Sequence, residues 1–390
     1  MKRVAILGST GSIGRNTLDV IRRNPGEFRV LAITANSDID TLGLQAEIFK
    51  PAFIGVADAV CAEKLRSKRS AQCRKLFTGL DGLCRLAEQK EIDLLVLAIS
   101  GAAALRPLLA AIEAAKDIAL ANKEALVMAG QVVMGLAARK KIRIIPIDSE
   151  QSAIWQCLEK EERCGLKYIY LTASGGPFWN KPAKFIKKCA PEAVLRHPRW
   201  NMGEKITVDS ATMMNKGLEL LEAMHLFGVG ADQVKIIIHP EAVIHSMVEF
   251  RDGVVMAQMS ATDMRIPIQY ALSYPRRLSN TLPKLDFYKL HELRFVKPDL
   301  KKFPCLALAY RAAKALGTLP AVLNAANEVS VSEFLRRRIC FGAIPRVIEI
   351  VMDRHCNRKN PELAHILEAD QWARAEAEKY IAKKGIGVNK

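Results

Sequence analysis

Residues Val4 to Arg23 read VAILGSTGSIGRNTLDVIRR. A short apolar run, then glycines at positions 8, 11 and 14, then Ile13, Leu18 and Ile21 at helical spacing, predict a strand, a tight turn and an amphipathic helix. Glycine lets a backbone turn sharply and come close to a pyrophosphate, and the N–H groups that open a helix are free to bind the anion. The spacing is G-x-x-G-x-x-G rather than G-x-G-x-x-G, and glycine turns also occur without a ligand. The position between the first strand and the first helix favours a nucleotide.

Working outward, the second strand, FRVLAITANSD from Phe28, ends in Ala35, Asn36 and Ser37 with no acid at its tip to take a ribose 2′-hydroxyl. This favours NADP over NAD, although Asp38 stands close by. Buried runs at IDLLVLAIS, DIALANKE and IRIIPIDSE alternate with alanine-rich helical stretches, which predicts a parallel, doubly wound sheet with ligands at the carboxyl ends of its strands. Asn122, Lys123, Glu124, Asp148, Ser149 and Glu150 fall at such ends. If the chain stays extended past Ile147, Asp148 and Glu150 project two carboxylates on one side. Their repulsion is relieved by water, a shared proton or a cation, and oxygen donors suit Mg²⁺ or Mn²⁺, so the pair reads as half of a metal site.

Further along, YIYLTASGGPFW carries a strand into Ser174-Gly175-Gly176-Pro177, a turn able to face an anion. About thirty residues with Pro182, Pro191 and Pro198 then predict a long loop of the kind that forms lids. Its tip, RHPRWNMGEK, holds His197, Trp200 and Met202. ITVDSATMMNKGLELLEAMHLFG predicts a helix with Ser210 as its N-cap and with Asn215, Lys216 and Glu219 on one face. A surface Lys/Glu pair would suit that spacing, but the flanking Met213, Met214, Leu218, Leu220 and Leu221 imply burial, where Lys and Glu need partners. Alternation on both sides of Asp252-Gly253 predicts a β-hairpin, and helices follow Pro304.

Half of the 390 residues are apolar and a quarter are charged, an ordinary globular balance. The formal charge of +17 admits a nucleic-acid binder, but Lys and Arg are spread along the chain in short runs such as Arg336-Arg337-Arg338. A solvated basic surface that attracts small anions accounts for them better. The nine cysteines contain no C-x-x-C pair, which argues against a disulfide framework or a thiolate zinc site. No apolar run is long enough to span a membrane. The first strand starts almost at Met1, so the expectation is a bacterial cytoplasmic protein without a leader.

Taken together, GSTGSIG, LANKEALV, PIDSEQSAI, TASGGPF, HPRWNMG, DSATMMNKGLE, IHPEAVIHSMVEF and NAANEV make the chain resemble the 1-deoxy-D-xylulose 5-phosphate reductoisomerases from end to end. The resemblance implies an oxidoreductase that isomerises 1-deoxy-D-xylulose 5-phosphate by retro-aldol cleavage and aldol recombination. NADPH then reduces the branched aldehyde to 2-C-methyl-D-erythritol 4-phosphate, in non-mevalonate isoprenoid synthesis. It implies a divalent metal ion (Mg²⁺, Mn²⁺ or Co²⁺) on Asp148, Glu150 and Glu219. Substrate contacts are implied at Lys123, Ser149, Glu150, Ser174, His197, Ser210, Asn215, Lys216 and Glu219, with Ser174, Ser210, Asn215 and Lys216 at the phosphate.

Trp200 and Met202 match the family's lid, and Met264 a residue near the nicotinamide. NADPH contacts are implied at Thr10, Gly11, Ser12, Ile13, Asn36, Ser37, Asn122, Glu124 and Gly203. The resemblance also implies a homodimer that binds neither nucleic acid nor membrane. The expected layout is a Rossmann-like NADPH domain at 1–150, a catalytic and dimerisation domain with a mixed sheet at 151–285 and a lid near 178–206. A linker at 286–303 and a C-terminal helical domain at 304–390 complete it. The chain departs from the family in Asn36-Ser37-Asp38, where an acid beside a 2′-phosphate would be repulsive unless it points away. Rival readings are a semialdehyde-dehydrogenase type of NADPH enzyme, which lacks a convincing thiol nucleophile here, and a nucleotide-sensing nucleic-acid binder.

Overall fold

The computed structural model describes residues 1–390 except 68–74, 160, 162–164, 187–188, 201 and 385–390. Part of the expected lid, at 187–188 and 201, therefore lies outside the described residues. The chain divides into two compact units. The first comprises Met1–Ala125, Val133–Trp155 and Asp263–Pro283, and the second Leu126–Val132, Gln156–Thr262 and Lys284–Lys390.

The first unit is built on seven strands: β1 (Lys2–Leu7), β2 (Phe28–Ala35), β3 (Phe53–Val56), β4 (Lys75–Thr78), β5 (Leu94–Leu97), β6 (Asp117–Leu120) and β7 (Ile144–Pro146). All neighbouring pairs are parallel, in the order β4-β3-β2-β1-β5-β6-β7. Residues 4–7 of β1 and all of β5 are buried, because helices cover both faces of such a sheet. The order reverses between β1 and β5, and the carboxyl ends of these two strands form the place where such folds bind ligands. Helix Arg265–Ser273 returns to this unit and packs Ile268, Ala271 and Leu272 into the same core as Val4, Ile6, Val96 and Ile145. The expected doubly wound sheet is present, together with two strands, β3 and β4, that the sequence pattern does not announce.

The second unit carries a mixed sheet of β8 (Leu166–Ala173), β9 (Val234–Ile238), β10 (Ile244–Phe250) and β11 (Val255–Met259), ordered β11-β10-β8-β9. β8 and β9 are parallel, whereas β10 runs antiparallel to β8 and β11. The hairpin around Asp252-Gly253 is present, with Gly253 at φ +90. Helices Pro304–Ala315, Leu319–Leu335, Ile344–Arg354 and Leu363–Lys384 form the expected helical C-terminal region. Helix Met214–Phe227 lies close against the first of them, since a Cβ at Gly217 would sit 2.3 Å from that of Ala309. No helix among the described residues is long and apolar enough to cross a membrane.

Two local expectations are corrected. The chain is not extended from Ile147 to Glu150: β7 stops at Pro146 and a helix spans Ser149–Leu158, so Glu150 sits in its first turn. Asp148 caps that helix, with its Oδ1 accepting the Glu150 N–H at 3.3 Å and its carbonyl accepting Ser152 N–H at 2.8 Å. Ser210 is likewise not an N-cap. It lies in the last turn of helix Glu204–Thr212, and Met213 at φ +59 breaks the chain before helix Met214–Phe227.

Close packing defines the glycine turn. A Cβ at Gly14 would stand 2.3 Å from the Gly8 carbonyl oxygen, whereas one at Gly11 would meet nothing closer than 3.6 Å. Gly14→Ala should therefore cost about 3 kcal/mol of unfolding free energy in urea. Gly11→Ala should stay within about 0.5 kcal/mol of the parent. Equal losses would contradict this packing.

Candidate functional site

In the first unit the turn after β1 is braced from beneath. Gly8 has φ +93, and a Cβ there would lie 2.6 Å from the carbonyl oxygen of Ala98 just past β5. Gly8 N–H donates to Thr34 Oγ1 (2.9 Å), buried Ser9 Oγ donates to Gln45 Oε1 (2.6 Å), and Gln45 Nε2 returns to the Ser9 carbonyl (2.9 Å). Sequence reading passed over Ser9, Thr34 and Gln45. The available signal was a glutamine on the otherwise greasy face of helix Ile39–Phe49.

The brace leaves Gly11 and Ser12 exposed and Thr10 and Ile13 half-buried at the N-terminus of helix Ser12–Arg23, which has no acid in its first turn. Such an end attracts anions. Asn36 and Ser37 are exposed past β2. Asp38, the residue in question for a 2′-phosphate, is committed elsewhere: it accepts the Thr41 N–H at 3.1 Å as a helix cap and lies 3.6 Å from the Arg15 guanidinium.

At the end of β6 the polar residues Asn122, Lys123 and Glu124 are buried, and at the end of β7 Asp148, Ser149 and Glu150 are partly so. Asn122 Nδ2 donates to the carbonyls of Ile99 (2.9 Å) and Gly101 (3.0 Å) and to Glu124 Oε2 (2.9 Å), while its Oδ1 accepts Ala125 N–H (2.8 Å). Lys123 Nζ is 2.6 Å from Asp148 Oδ2, with both side chains at most 10% exposed. Ser149 donates its hydroxyl to Glu150 Oε2. Met264 precedes helix Arg265–Ser273 and packs against the core of this unit.

In the second unit β8 delivers Ser174, and the following Gly175 and Gly176 both have positive φ. A Cβ at Gly176 would come within 2.8 Å of the Ser210 carbonyl oxygen, so only glycine lets these two backbones meet. His197 lies between the two serines, its Nε2 at 3.2 Å from Ser174 Oγ and 3.1 Å from Ser210 Oγ. Its Nδ1 accepts the N–H groups of Arg199 (3.2 Å) and Trp200 (2.9 Å). Those donors leave the Nε2–H tautomer as the neutral form. Burial, reinforced by the charge of Lys216, lowers the imidazole pKa from 6.5 to about 4.

Trp200 is half-buried, its ring 6.3 Å from that of His245, and Met202 and exposed Gly203 lead into helix Glu204–Thr212. On the next helix Asn215 Nδ2 donates to Glu219 Oε1 at 2.6 Å, and Lys216 Nζ to Glu219 Oε2 at 2.5 Å. The expected common face of Asn215, Lys216 and Glu219 is present, with Lys216 and Glu219 buried and Asn215 partly exposed.

A family model described as 1-deoxy-D-xylulose 5-phosphate reductoisomerase matches residues 4–130, and models of its C-terminal domain match 144–227 and 259–376. The reductoisomerase of Desulfosudis oleivorans is 50% identical over 378 residues, covering 97% of this chain and 99% of its own. This chain belongs to the 1-deoxy-D-xylulose 5-phosphate reductoisomerase family. The family member of Desulforamulus reducens is 49% identical, over 98% of this chain and 99% of its own.

Among solved structures, the Zymomonas mobilis reductoisomerase in complex with NADPH superposes with a TM-score of 0.90 at 38% identity, covering 97% of this chain and 99% of its own. A DOX-P reductoisomerase in complex with NADPH, fosmidomycin and magnesium gives 0.92 at 39%, covering 99% and 100%.

The lowered pKa of His197 fixes a sign. The unfolded chain takes up this proton near pH 6.5 and the folded chain only near pH 4, so acid favours unfolding across that window and His197 withdraws stability as pH falls from 6.5 to 4. Nitrogen chemical shifts of His197 should report the neutral Nε2–H form from pH 8 down to pH 5. A titration midpoint near 6.5 would contradict the burial.

Proposed function

We propose that this family member converts 1-deoxy-D-xylulose 5-phosphate to 2-C-methyl-D-erythritol 4-phosphate, using NADPH and a divalent metal ion. The observation that carries the reading is the state of its buried acids. Asp148 and Glu219 are each held against a buried lysine ammonium, at 2.6 and 2.5 Å, a setting that favours the carboxylate form a metal ligand needs. All-oxygen donors of this kind suit Mg²⁺, Mn²⁺ or Co²⁺, and we assign the ion to Asp148, Glu150 and Glu219. When bound, the ion supplies Lewis-acid polarisation of the substrate carbonyl during the retro-aldol and aldol steps.

The chain's own groups do the rest. The Ser174 and Ser210 hydroxyls, the His197 Nε2–H, Asn215 and the Lys216 ammonium take the substrate phosphate, and neutral His197 serves there as a donor without adding charge. Lys123, Ser149 and Glu150 face the reacting oxygens. Trp200 and Met202 cover the fragments and exclude water.

The helix N-terminus at Thr10, Gly11, Ser12 and Ile13 takes the NADPH pyrophosphate, and Asn36 and Ser37 the adenosine ribose with its 2′-phosphate. Asn122, Glu124, Gly203 and Met264 complete the cofactor site. The commitment of Asp38 to its helix cap, with Arg15 beside it, supports tolerance of the 2′-phosphate. NADPH then supplies the hydride.

We assign NADPH to residues 1–150, catalysis and dimerisation to 151–285 with a lid at 178–206, connection to 286–303 and support to 304–390. A homodimer is supported by edge strand β11, where Val255 and Met256 stand exposed beside Val254. The bacterial relatives and the cofactor support a cytoplasmic location, and the spread of basic residues supports small anions rather than nucleic acid as partners. Against a thiol-dependent dehydrogenase, burial raises the pKa values of Cys84, Cys157, Cys189 and Cys305, keeping these thiols protonated.

NADPH oxidation should require both 1-deoxy-D-xylulose 5-phosphate and Mg²⁺ or Mn²⁺, and stop in chelator. Turnover that ignores the chelator would sink the mechanism. Asp148→Asn should lower kcat by roughly a hundredfold or more. The same variant should leave the NADPH Kd within about twofold of the parent, because the pyrophosphate turn is untouched. Equal loss of both in a folded variant would contradict the assignment.

A further inference from the structure

Helix Leu319–Leu335 is buried along most of its length, and Asn327 lies in it at 0% exposure. Its Nδ2 donates at 2.8 Å to Oδ1 of Asp209, a carboxylate that is itself 1% exposed. The other oxygen of Asp209 lies 2.8 Å from Lys205 Nζ one turn earlier. Among the described residues Asn327 Oδ1 has no hydrogen-bond partner, so the amide gives up one of its own hydrogen bonds to make this contact. A buried polar group held on such terms positions something.

Asp209 immediately precedes Ser210, whose hydroxyl stands at His197 Nε2 and whose carbonyl is wedged against Gly176. Three residues later the backbone turns left-handed at Met213 and leads to Asn215 and Lys216. The segment that would meet the substrate phosphate is thus gripped on one side by the Ser174–Gly176 turn and on the other by helix Leu319–Leu335.

We propose that Asn327 is a positioning residue for phosphate recognition: through Asp209 it fixes helix Glu204–Thr212 so that the Ser210 hydroxyl stands where the substrate phosphate binds. This rests on the proposed function, with Ser210 at the phosphate. The C-terminal helices then contribute to substrate affinity without touching substrate. Asn327→Asp sets two carboxylates against each other in a buried place, whereas Asp209→Asn combined with it restores one donor and one acceptor with their roles exchanged.

The test measures kcat and KM for 1-deoxy-D-xylulose 5-phosphate, the inhibition constant of inorganic phosphate and the NADPH Kd, with circular dichroism as a check of folding. Asn327→Ala should raise the substrate KM and the phosphate inhibition constant together by about tenfold, with kcat and NADPH Kd within about twofold. Asn327→Asp should be worse, and Asp209→Asn/Asn327→Asp should recover at least half of the lost affinity. Asp209→Asn alone keeps the shape of the site and should raise KM by about threefold, which reads the proposal even if Asn327→Ala does not fold.

An unchanged KM in Asp209→Asn or in folded Asn327→Ala, a parallel loss of NADPH affinity, or a double variant no better than Asn327→Asp would overturn it. A parent enzyme that does not oxidise NADPH with this substrate would instead fail the functional reading.

Discussion

The requirement that governs Asp148 and Glu219 in the proposed site is that carboxylates taken out of water must remain ionised. An isolated buried carboxylate would take up a proton and lose its value as a ligand. Here two of the acids are given an ammonium: Lys123 for Asp148, at the end of a parallel sheet, and Lys216 for Glu219, three residues apart on one helix. Buried ion pairs return little net stability, and the proposed function gives these two a use. The same lysines are the groups that an anionic substrate would recruit.

The rest of the fold can be understood as serving that requirement. Pro146 ends β7, and Asp148 is turned into a helix cap, which directs Glu150 into the first turn beside it. In the other unit, left-handed Met213 separates two helices so that Ser210 ends one and Asn215, Lys216 and Glu219 open the next. A non-glycine residue in that conformation costs on the order of 1 kcal/mol, which buried packing on both sides sustains. The second serine, Ser174, comes from a sheet end through two positive-φ glycines.

Much of this was legible in the residues. The glycine turn, the alternating strands, the hairpin at Asp252-Gly253 and the shared face of Asn215, Lys216 and Glu219 follow from spacing alone, because period and turn chemistry are local properties. Strands β3 and β4 were not legible: each has four residues, and β3 contains Gly55, whose place against Leu83 and Thr34 only the folded sheet explains. The extended reading of Asp148 and Glu150 failed because the apolar run conceals the point where strand gives way to helix. Ser210 looked like a cap because nothing in a methionine announces a left-handed residue. The pairing of Asp209 with Asn327, 118 positions apart, is beyond any local pattern.

The proposed function requires Asp148, Glu150 and Glu219 to share one ion. Crystals grown with Mn²⁺ and measured at its absorption edge test this directly. The predicted result is a single anomalous peak ligated by oxygens of all three side chains. A peak that lacks Glu219, or a fully occupied ion elsewhere with these carboxylates still on their lysines, would contradict it.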